Sequence, residues 1–344
     1  MTEAQWSDLT EAVNGSTNNK PIVAFIIDSP WLPGFNGIST LEYYSSGEKW
    51  FNANKKAIET FPDIIFLPGF WSEFGMCTEP SAFGSKCIWH QSNLPHANTI
   101  ITDISEIQNI KKPDPRTDGL LPFVTQRLKE FQPQILKSGH NIRFAIARGP
   151  LNIASFLMGT TEFMMATIMN PEETHKLLRL ITDFTIDWLQ YQKELFPDID
   201  GIFILDDIVG FVGDAECNDF VVPYLTEIFH SFGASIRFFH NDAPGLVSSK
   251  YLENIGVNLF NFSHEHTFNE IRDIAGSNIT LLGNLPPRDV LAAGNKIDIE
   301  NGVREMIQSA GNTQKIVWSC GGGLPPNVSM ENIHTFYNTV VNLF

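Results

Sequence analysis

The sequence predicts a single α/β domain, a (β/α)₈ TIM barrel that spans residues 1–344. Eight short runs rich in β-forming residues alternate with helical segments, and each run ends in polar or glycine residues. A doubly wound open sheet is the alternative, but it requires a glycine-rich phosphate-binding loop after an early strand. The glycine run Gly321–Gly323 comes last and is followed by Leu324-Pro325-Pro326 rather than by a helix.

An N-terminal helical extension, residues 1–20, precedes the barrel, with an amphipathic stretch from Trp6 to Val13 and a polar linker at 15–19. The strands are short because each apolar run is stopped by a polar, glycine or proline residue. The predicted strands are Pro21–Ile27, Asp63–Leu67, Arg143–Ala147, Gly201–Leu205, Ser235–Asp242, Val257–Phe260, Ile279–Leu282 and Lys315–Ser319.

Helical periodicity fills the segments between several of these strands. The longest helix opens with Asn170 as N-cap and Pro171 in its first turn, a favoured start for a helix. The predicted helices are Leu41–Phe61, Pro122–Ser138, Leu151–Met158, Thr161–Met169 and Pro171–Leu195.

A long loop from Phe70 to Gln91 follows the second strand and contains several aromatic residues among glycines and prolines. Loops of this length in a compact domain are usually functional or disordered, and the aromatic content argues against disorder. We therefore expect this loop to fold over the barrel mouth as a lid.

Polar residues at the strand ends predict a site at the carboxyl-terminal face of the barrel. Inside a sheet such residues would need buried partners, whereas at the ends of barrel strands they face a cavity and can contact a ligand. Convergence of the ends gathers the following candidates: Asp28, Arg148, Asp206, Asp207, His240, Asp242, His264, Asn284 and Cys320.

Three of these residues form a plausible metal-ligand set. His240, Asp242 and Cys320 supply one nitrogen, one carboxylate and one thiolate, which suits zinc with a fourth position open for substrate. The alternative is that His240 is an ordinary strand-end histidine and Cys320 a small buried hydrophobic residue. Asp206-Asp207 could equally cap the following helix.

Composition excludes several classes of partner. Thirty-nine acidic against 23 basic residues give a net charge of -16, which argues against nucleic acid, anionic membranes and polyanionic substrates. No apolar run approaches the roughly 18 residues of a membrane helix, and the polar N-terminus does not resemble a secretion signal, so we expect a cytoplasmic protein. The four cysteines are expected to be free thiols or metal ligands.

Several motifs together give the chain a family resemblance. They are Arg148-Gly149-Pro150 with Leu157-Met158-Gly159, Asp206-Asp207-Ile208-Val209-Gly210-Phe211, Phe239-His240-Asn241-Asp242, Gly283-Asn284-Leu285-Pro286-Pro287 with Ala293-Gly294, and Cys320-Gly321-Gly322-Gly323-Leu324-Pro325-Pro326. The sequence resembles the uroporphyrinogen decarboxylase superfamily, and within it the cobalamin-dependent methyltransferases. The resemblance implies a (β/α)₈ barrel over most of the chain.

The resemblance also separates two branches. The decarboxylases hold a tetrapyrrole with eight carboxylates through an arginine-rich motif after the first strand, where this chain has Asp28; its first arginine is Arg116. The methyltransferases bind zinc through a His-x-Cys pair and a later Cys-Gly pair. This chain matches at His240 and Cys320 and departs at Asp242, which hardens the metal site or leaves a proton-donating pair.

These observations predict an O-demethylase methyltransferase component. It would move a methyl group from a small methylated substrate, an aromatic methyl ether, to the Co(I) corrinoid of a separate protein, since no Asp-x-His-x-x-Gly corrinoid motif is present. The alternatives are decarboxylation of a less anionic substrate and a non-catalytic binding barrel. Oligomeric state is left open, with a homodimer as one option. The expected catalytic residues are His240, Asp242 and Asp206, and the expected substrate-binding residues are Asp28, Trp31, Phe70, Trp71, Arg148, Asp207 and Asn284.

Overall fold

The computed structural model describes residues 1–15 and 20–344, so most of the predicted linker at 15–19 lies outside the described residues. Eight parallel strands within these ranges form an α/β barrel, as predicted. Strands β3 to β8 form one six-stranded sheet in chain order, and β1 pairs with β2. The strands are β1 (Ala24–Ile26), β2 (Ile65–Leu67), β3 (Phe144–Arg148), β4 (Gly201–Leu205), β5 (Ile236–Asn241), β6 (Leu259–Phe262), β7 (Thr280–Leu285) and β8 (Ile316–Cys320).

The barrel closes where its first strand meets its last. The Trp318 N–H donates to the carbonyl of Ile22 at 2.8 Å, and the Leu324 N–H donates to the carbonyl of Ile26 at 2.9 Å. These bonds bring the loops after β1 and β8 together at the carboxyl-terminal face.

On the opposite side, side chains complete the wall between β2 and β3, since no ladder joins these two strands among the described residues. The Ile146 N–H donates to Oε1 of Gln192 at 3.0 Å, and Nε2 of Gln192 donates to the Ile146 carbonyl at 2.9 Å. The Arg148 N–H donates to Oε1 of Glu79 at 3.1 Å. Buried backbone groups require partners, so Gln192 and Glu79 stabilise the free edge of β3.

The helices agree with the prediction except after β1. The predicted helix Leu41–Phe61 is two helices, because Ser46 has extended backbone angles and its side chain caps the second helix by accepting from the Lys49 N–H at 3.2 Å. None of the helices within the described ranges combines the length and the hydropathy of a membrane-spanning segment. The α-helices are Glu3–Asn14, Leu32–Asn36, Thr40–Ser45, Gly47–Thr60, Thr78–Ala82, Leu121–Lys137, Pro150–Met158, Thr160–Met169, Pro171–Leu195, Asp214–Glu216, Val222–Phe229, Leu252–Ile255, Phe268–Ala275, Lys296–Ala310 and Met330–Asn342.

Alternate residues of each strand pack into two separate apolar layers. In β5, Phe238 belongs to the inner layer that fills the barrel, whereas Phe239 belongs to the outer layer between strands and helices. The N-terminal helix joins the inner layer through Trp6, whose ring lies 5.4 Å from that of Phe144. Because side chains alternate along a strand, these layers also fix which polar residues at the strand ends face the barrel interior.

Candidate active site

Four residues of neighbouring strands form one row at the barrel mouth. Arg148 of β3 pairs in register with Leu205 of β4, Leu205 with His240 of β5, and His240 with Asn261 of β6. Leu205 belongs to the inner layer, and register neighbours on parallel strands point to the same side of a sheet. The side chains of Arg148, His240 and Asn261 are therefore directed into the barrel mouth.

Asn261 sets which ring nitrogen of His240 carries the hydrogen. Its Nδ2 donates to the carbonyls of Leu282 at 2.8 Å and Cys320 at 3.3 Å, which leaves Oδ1 as the acceptor 2.7 Å from Nδ1 of His240. Since Oδ1 can only accept, Nδ1 carries the hydrogen, and Nε2 of the neutral imidazole is the nitrogen free to bind a metal ion. Sequence reasoning did not assign Asn261 a role, although its position two residues after the inner-layer Leu259 indicated an inward side chain.

Nε2 of His240 faces two carboxylates. It lies 3.6 Å from Oδ1 of Asp207 and 4.0 Å from Oδ2 of Asp242. The Asp242 N–H also donates to Oδ1 of Asp207 at 3.3 Å, which links the ends of β4 and β5. Ligand atoms from Asp207, His240 and Asp242 all lie within 4.8 Å of one another.

This group fits a divalent metal ion. Zinc with bonds of about 2.0 to 2.2 Å to nitrogen and oxygen places tetrahedral ligand atoms roughly 3.4 Å apart, slightly closer than the distances found here. Burial raises the pKa of Asp207, with Asp242 adding to the effect and His240 opposing it. A cation between the carboxylates would relieve their repulsion, so one nitrogen and two carboxylates suit zinc or a harder divalent ion.

The thiol of Cys320 is not a member of this group. Cys320 lies in the outer apolar layer with Trp318, two residues before it on β8, and its Sγ donates to the Gly322 carbonyl at 3.3 Å. Burial raises the pKa of this thiol to about 12. The expected set of His240, Asp242 and Cys320 is thus brought together only in part. Asp207 is the third member of the group, and the carbonyl of Cys320 accepts a hydrogen bond from Asn261.

Asp206, expected in catalysis, faces the outer side of β4 and caps a helix. Its two carboxylate oxygens accept from the N–H groups of Leu151 at 2.9 Å and Asn152 at 3.0 Å, at the start of helix Pro150–Met158. Burial raises the pKa of Asp206, while these N–H groups act in the opposite direction. The carboxylate of Asp206 therefore holds the start of the helix that follows β3 and is directed away from the barrel mouth.

We expect Asp206→Ala to lower the free energy of unfolding by about 2 to 4 kcal/mol, because two buried N–H groups lose their acceptor. Asp206→Asn keeps one acceptor oxygen, so its loss should be smaller. Urea denaturation followed by circular dichroism measures both variants. Equal stability of Asp206→Ala and the wild type would contradict the capping role.

The aromatic residues expected to bind substrate are buried in the barrel wall, where Phe70 and Trp71 line a small internal cavity together with Arg148. Trp31 is buried and donates from Nε1 to the Val328 carbonyl at 3.0 Å. Phe70 stacks on Phe51 with ring centroids 5.6 Å apart, and the carbonyl of Trp71 accepts from another buried indole. Their large apolar surfaces fill the space beside β2, where the loop after this strand must cover the core.

The loop predicted as a lid has two parts. Residues 70–80 are almost all buried and include the start of helix Thr78–Ala82, so this part is wall rather than lid. The second part carries the first strand of a short antiparallel hairpin, Cys87–Ile88 with His96–Ala97, and this hairpin extends beyond the predicted end of the loop at Gln91. Its turn, residues 92–94, lines an open cleft of about 400 Å³ at the barrel mouth.

Asp28 and Asp242 line the same cleft from β1 and β5. Burial and the neighbouring Glu73 raise the pKa of Asp28 well above its usual range, against the effect of Arg148, and Oδ1 of Asp28 has no hydrogen-bond partner among the described residues. Asn284 is directed elsewhere, since its Nδ2 donates to the His266 carbonyl and so ties the loop after β7 to the loop after β6.

Comparison with known proteins identifies the family. The profile described as "Uroporphyrinogen decarboxylase (URO-D)" matches residues 34–343. The chain belongs to this URO-D family. A uroporphyrinogen decarboxylase of Ruthia magnifica subsp. Calyptogena magnifica is 22% identical over 274 residues, 76% of this chain and 77% of the relative. That of Flavobacterium johnsoniae is 25% identical over 276 residues, 76% of each chain.

Solved structures place this URO-D family member among barrels of the same architecture. A methyltransferase from Methanosarcina mazei superposes with a TM-score of 0.83 at 16% identity, over 98% of both chains. A B12-independent methionine synthase from Shewanella sp. W3-18-1 gives a TM-score of 0.56 at 10% identity, over 93% of this chain and 96% of the other. At these identities the likeness establishes the fold.

Proposed function

We propose that this URO-D family member is a methyltransferase that demethylates an aromatic methyl ether and passes the methyl group to the Co(I) corrinoid of a separate protein. The observation that carries the proposal is the group of Asp207, His240 and Asp242, which faces the open end of the barrel. The structural likeness to the Methanosarcina mazei methyltransferase supports it. The expected substrate residues Asp28 and Arg148 lie on the same face.

The chemistry of ether cleavage explains the need for this group. When a methyl group leaves an ether, negative charge develops on the oxygen, and it must be stabilised by a metal ion or a proton. Zinc bound to Asp207, His240 and Asp242 would supply this Lewis acidity. Asn261 keeps the Nε2 lone pair of His240 directed at the cleft, and the two carboxylates fix the remaining ligand positions.

The runner-up is decarboxylation of a substrate less anionic than a tetrapyrrole, because the charges at the mouth disfavour a polyanion. A polyanion needs several guanidinium groups, but Asp28 follows β1, and Asp207 and Asp242 follow β4 and β5. Arg148 is the single arginine in the row that faces the barrel interior, and Arg288 is the one arginine among the residues that line the cleft.

The corrinoid protein should dock at the carboxyl-terminal face. Methyl transfer requires the cobalt to come within bonding reach of the methyl carbon, and the barrel interior is filled by side chains such as Phe203 and Phe238, whose rings stack 4.3 Å apart. The cleft lined by Asp28 and Asp242 is therefore the route to the group of Asp207, His240 and Asp242.

We expect the purified protein to contain about one zinc ion per chain and to convert a methoxyarene to the phenol in the presence of a Co(I) corrinoid protein. Removal of the metal by a chelator should lower this rate more than about tenfold, and zinc should restore it, because the leaving oxygen loses its Lewis acid. Metal analysis and chromatography of the phenol measure both. Release of CO₂ without phenol would instead support the decarboxylase.

A further inference from the structure

Asp28 is an acid at the barrel mouth whose carboxyl group is poorly stabilised in its charged form. It follows β1 and lines the same open cleft as Asp242. Its Oδ1 is buried and has no hydrogen-bond partner within residues 1–15 and 20–344. An enclosed carboxylate oxygen without a donor is costly, so this position favours the neutral acid.

The groups around Asp28 act in the same direction. Burial, and the buried acid Glu73 beside it, raise the pKa of Asp28 well above its usual range. Glu73 accepts a hydrogen bond from the Tyr44 hydroxyl at 3.3 Å, which fixes it near Asp28. The charge of Arg148 opposes the shift, but this guanidinium also acts on the buried Glu79. The surroundings therefore leave the Asp28 carboxyl with a proton to donate.

The glycine run after β8 brings Asp28 and Asp242 to the same space. Gly323 bridges to Ile26, two residues before Asp28. Gly322 has a φ of 122°, and a Cβ at this position would lie 2.6 Å from Oδ2 of Asp242. Because the run has no side chains, a substrate in the cleft can contact Asp28 and Asp242 at the same time.

We propose that Asp28 is the general acid that protonates the departing oxygen of the methyl ether. This inference rests on the proposed function, because the ether oxygen would lie between Asp28 and the group of Asp207, His240 and Asp242. A metal ion alone would stabilise a phenoxide and hold it, whereas a proton converts the phenoxide into a phenol that can leave.

The proton transfer balances the methyl transfer. The carbon–oxygen bond of the ether breaks and leaves its electron pair on the oxygen. The Co(I) of the partner protein supplies the electron pair of the new cobalt–carbon bond and becomes Co(III). The oxygen takes the proton of Asp28, and the resulting carboxylate regains a proton from solvent.

The test compares phenol release from 4-methylanisole and 4-nitroanisole, with a Co(I) corrinoid protein, by the wild type and Asp28→Asn. The amide keeps the shape of the side chain but has no acidic proton, so release from 4-methylanisole should fall by about 100-fold or more. The 4-nitrophenoxide leaves with little need of a proton, so its release should fall by less than about tenfold. A purely structural role would lower both rates equally. Zinc content should stay the same.

The matched control is Asp289→Asn, which makes the same change at an exposed acid next to the cleft residue Arg288 and should keep both rates. Asp28→Glu keeps an acidic proton and should retain more activity than Asp28→Asn. Asp28→Ser also lacks the proton and replaces Asp28→Asn if that variant does not fold. Equal losses for the two ethers, or a wild-type rate of Asp28→Asn with 4-methylanisole, would overturn the inference and leave the proposed function intact.

Infrared difference spectra test the protonation of Asp28 without turnover. The spectrum of the wild type minus that of Asp28→Asn, at neutral pH, should contain the carbonyl band of a neutral carboxylic acid. Carboxylate bands in its place would overturn the inference even if the wild type releases phenol. A neutral carboxyl in a wild type that releases no phenol would refute the methyltransferase, and the assigned proton transfer with it.

Discussion

His240→Ala is expected to lower methyl transfer from a methoxyarene to the Co(I) corrinoid by about 10²- to 10⁴-fold, the range for loss of a group that stabilises developing charge. His240 supplies the nitrogen of the proposed metal site, and its Nε2 lies 3.6 Å from Asp207 and 4.0 Å from Asp242. Without the imidazole, the two carboxylates face each other with no neutral ligand to complete a metal site. Initial rates of phenol release measure the loss.

The matched control is His264→Ala, which removes an exposed imidazole from the loop after β6 on the same face of the barrel. Its rate should equal that of the wild type. Binding of the methoxyarene to His240→Ala, measured by calorimetry, should change much less than the rate, since the imidazole acts on the leaving oxygen. A His240→Ala variant with wild-type rates would exclude His240 from the chemistry.

The sequence was sufficient to predict the strands, because each carries an apolar run with an abrupt polar or glycine end. Gly201–Leu205 was predicted without error, and the strand at 236–241 lies within its predicted range. The strand at 259–262 lies two residues later than its prediction, because Asn261 bonds Leu282 and Cys320 from inside the sheet. The polar residue Asn261 predicts the end of a strand, but its side-chain amide lies inside the sheet and donates hydrogen bonds to carbonyls of neighbouring strands.

The positions of the strand ends predict which residues lie near the barrel mouth, but not the direction in which each side chain points. Asp206 and Asp207 are adjacent in sequence, yet one caps a helix behind the sheet and the other faces His240. The alternation along Gly201–Leu205, with Phe203 and Leu205 in the inner layer, assigns Asp207 to the inside. The same alternation assigns Cys320 to the outer layer with Trp318.

The roles of the aromatic residues could not be predicted from local sequence. Trp31, Phe70 and Trp71 follow strands and so were expected at the mouth, but they are buried in the wall. The reason is non-local: β2 and β3 are not joined by a ladder among the described residues, and residues from the loop after β2 cover this edge. Sequence patterns identify neither the missing ladder nor the residues that replace it.

Asp207→Asn tests which residue is the third metal ligand. A neutral amide is a much weaker ligand than a carboxylate. Loss of a residue that only hydrogen-bonds to a metal ligand lowers metal affinity or activity by roughly 10- to 100-fold, and we expect zinc affinity and methyl transfer in Asp207→Asn to fall by more than this. Cys320→Ala should leave both unchanged, because its thiol points to the Gly322 carbonyl from the outer layer. Zinc titration against a competing chelator and phenol release measure the two quantities.

Cys217→Ala is the control for the cavity that Cys320→Ala creates, because both cysteines are buried and belong to the outer apolar layer. The two variants should lose similar free energy of unfolding and retain the same zinc content. Loss of zinc in Cys320→Ala, but not in Cys217→Ala, would show that the Cys320 thiolate is a zinc ligand. The end of β8 would then have to rearrange when zinc binds. Loss of zinc in Asp207→Asn alone would show that the metal is held by carboxylates and an imidazole, without a thiolate. A metal ion with these harder ligands stabilises the alkoxide or phenoxide released from an ether better than it activates a thiol.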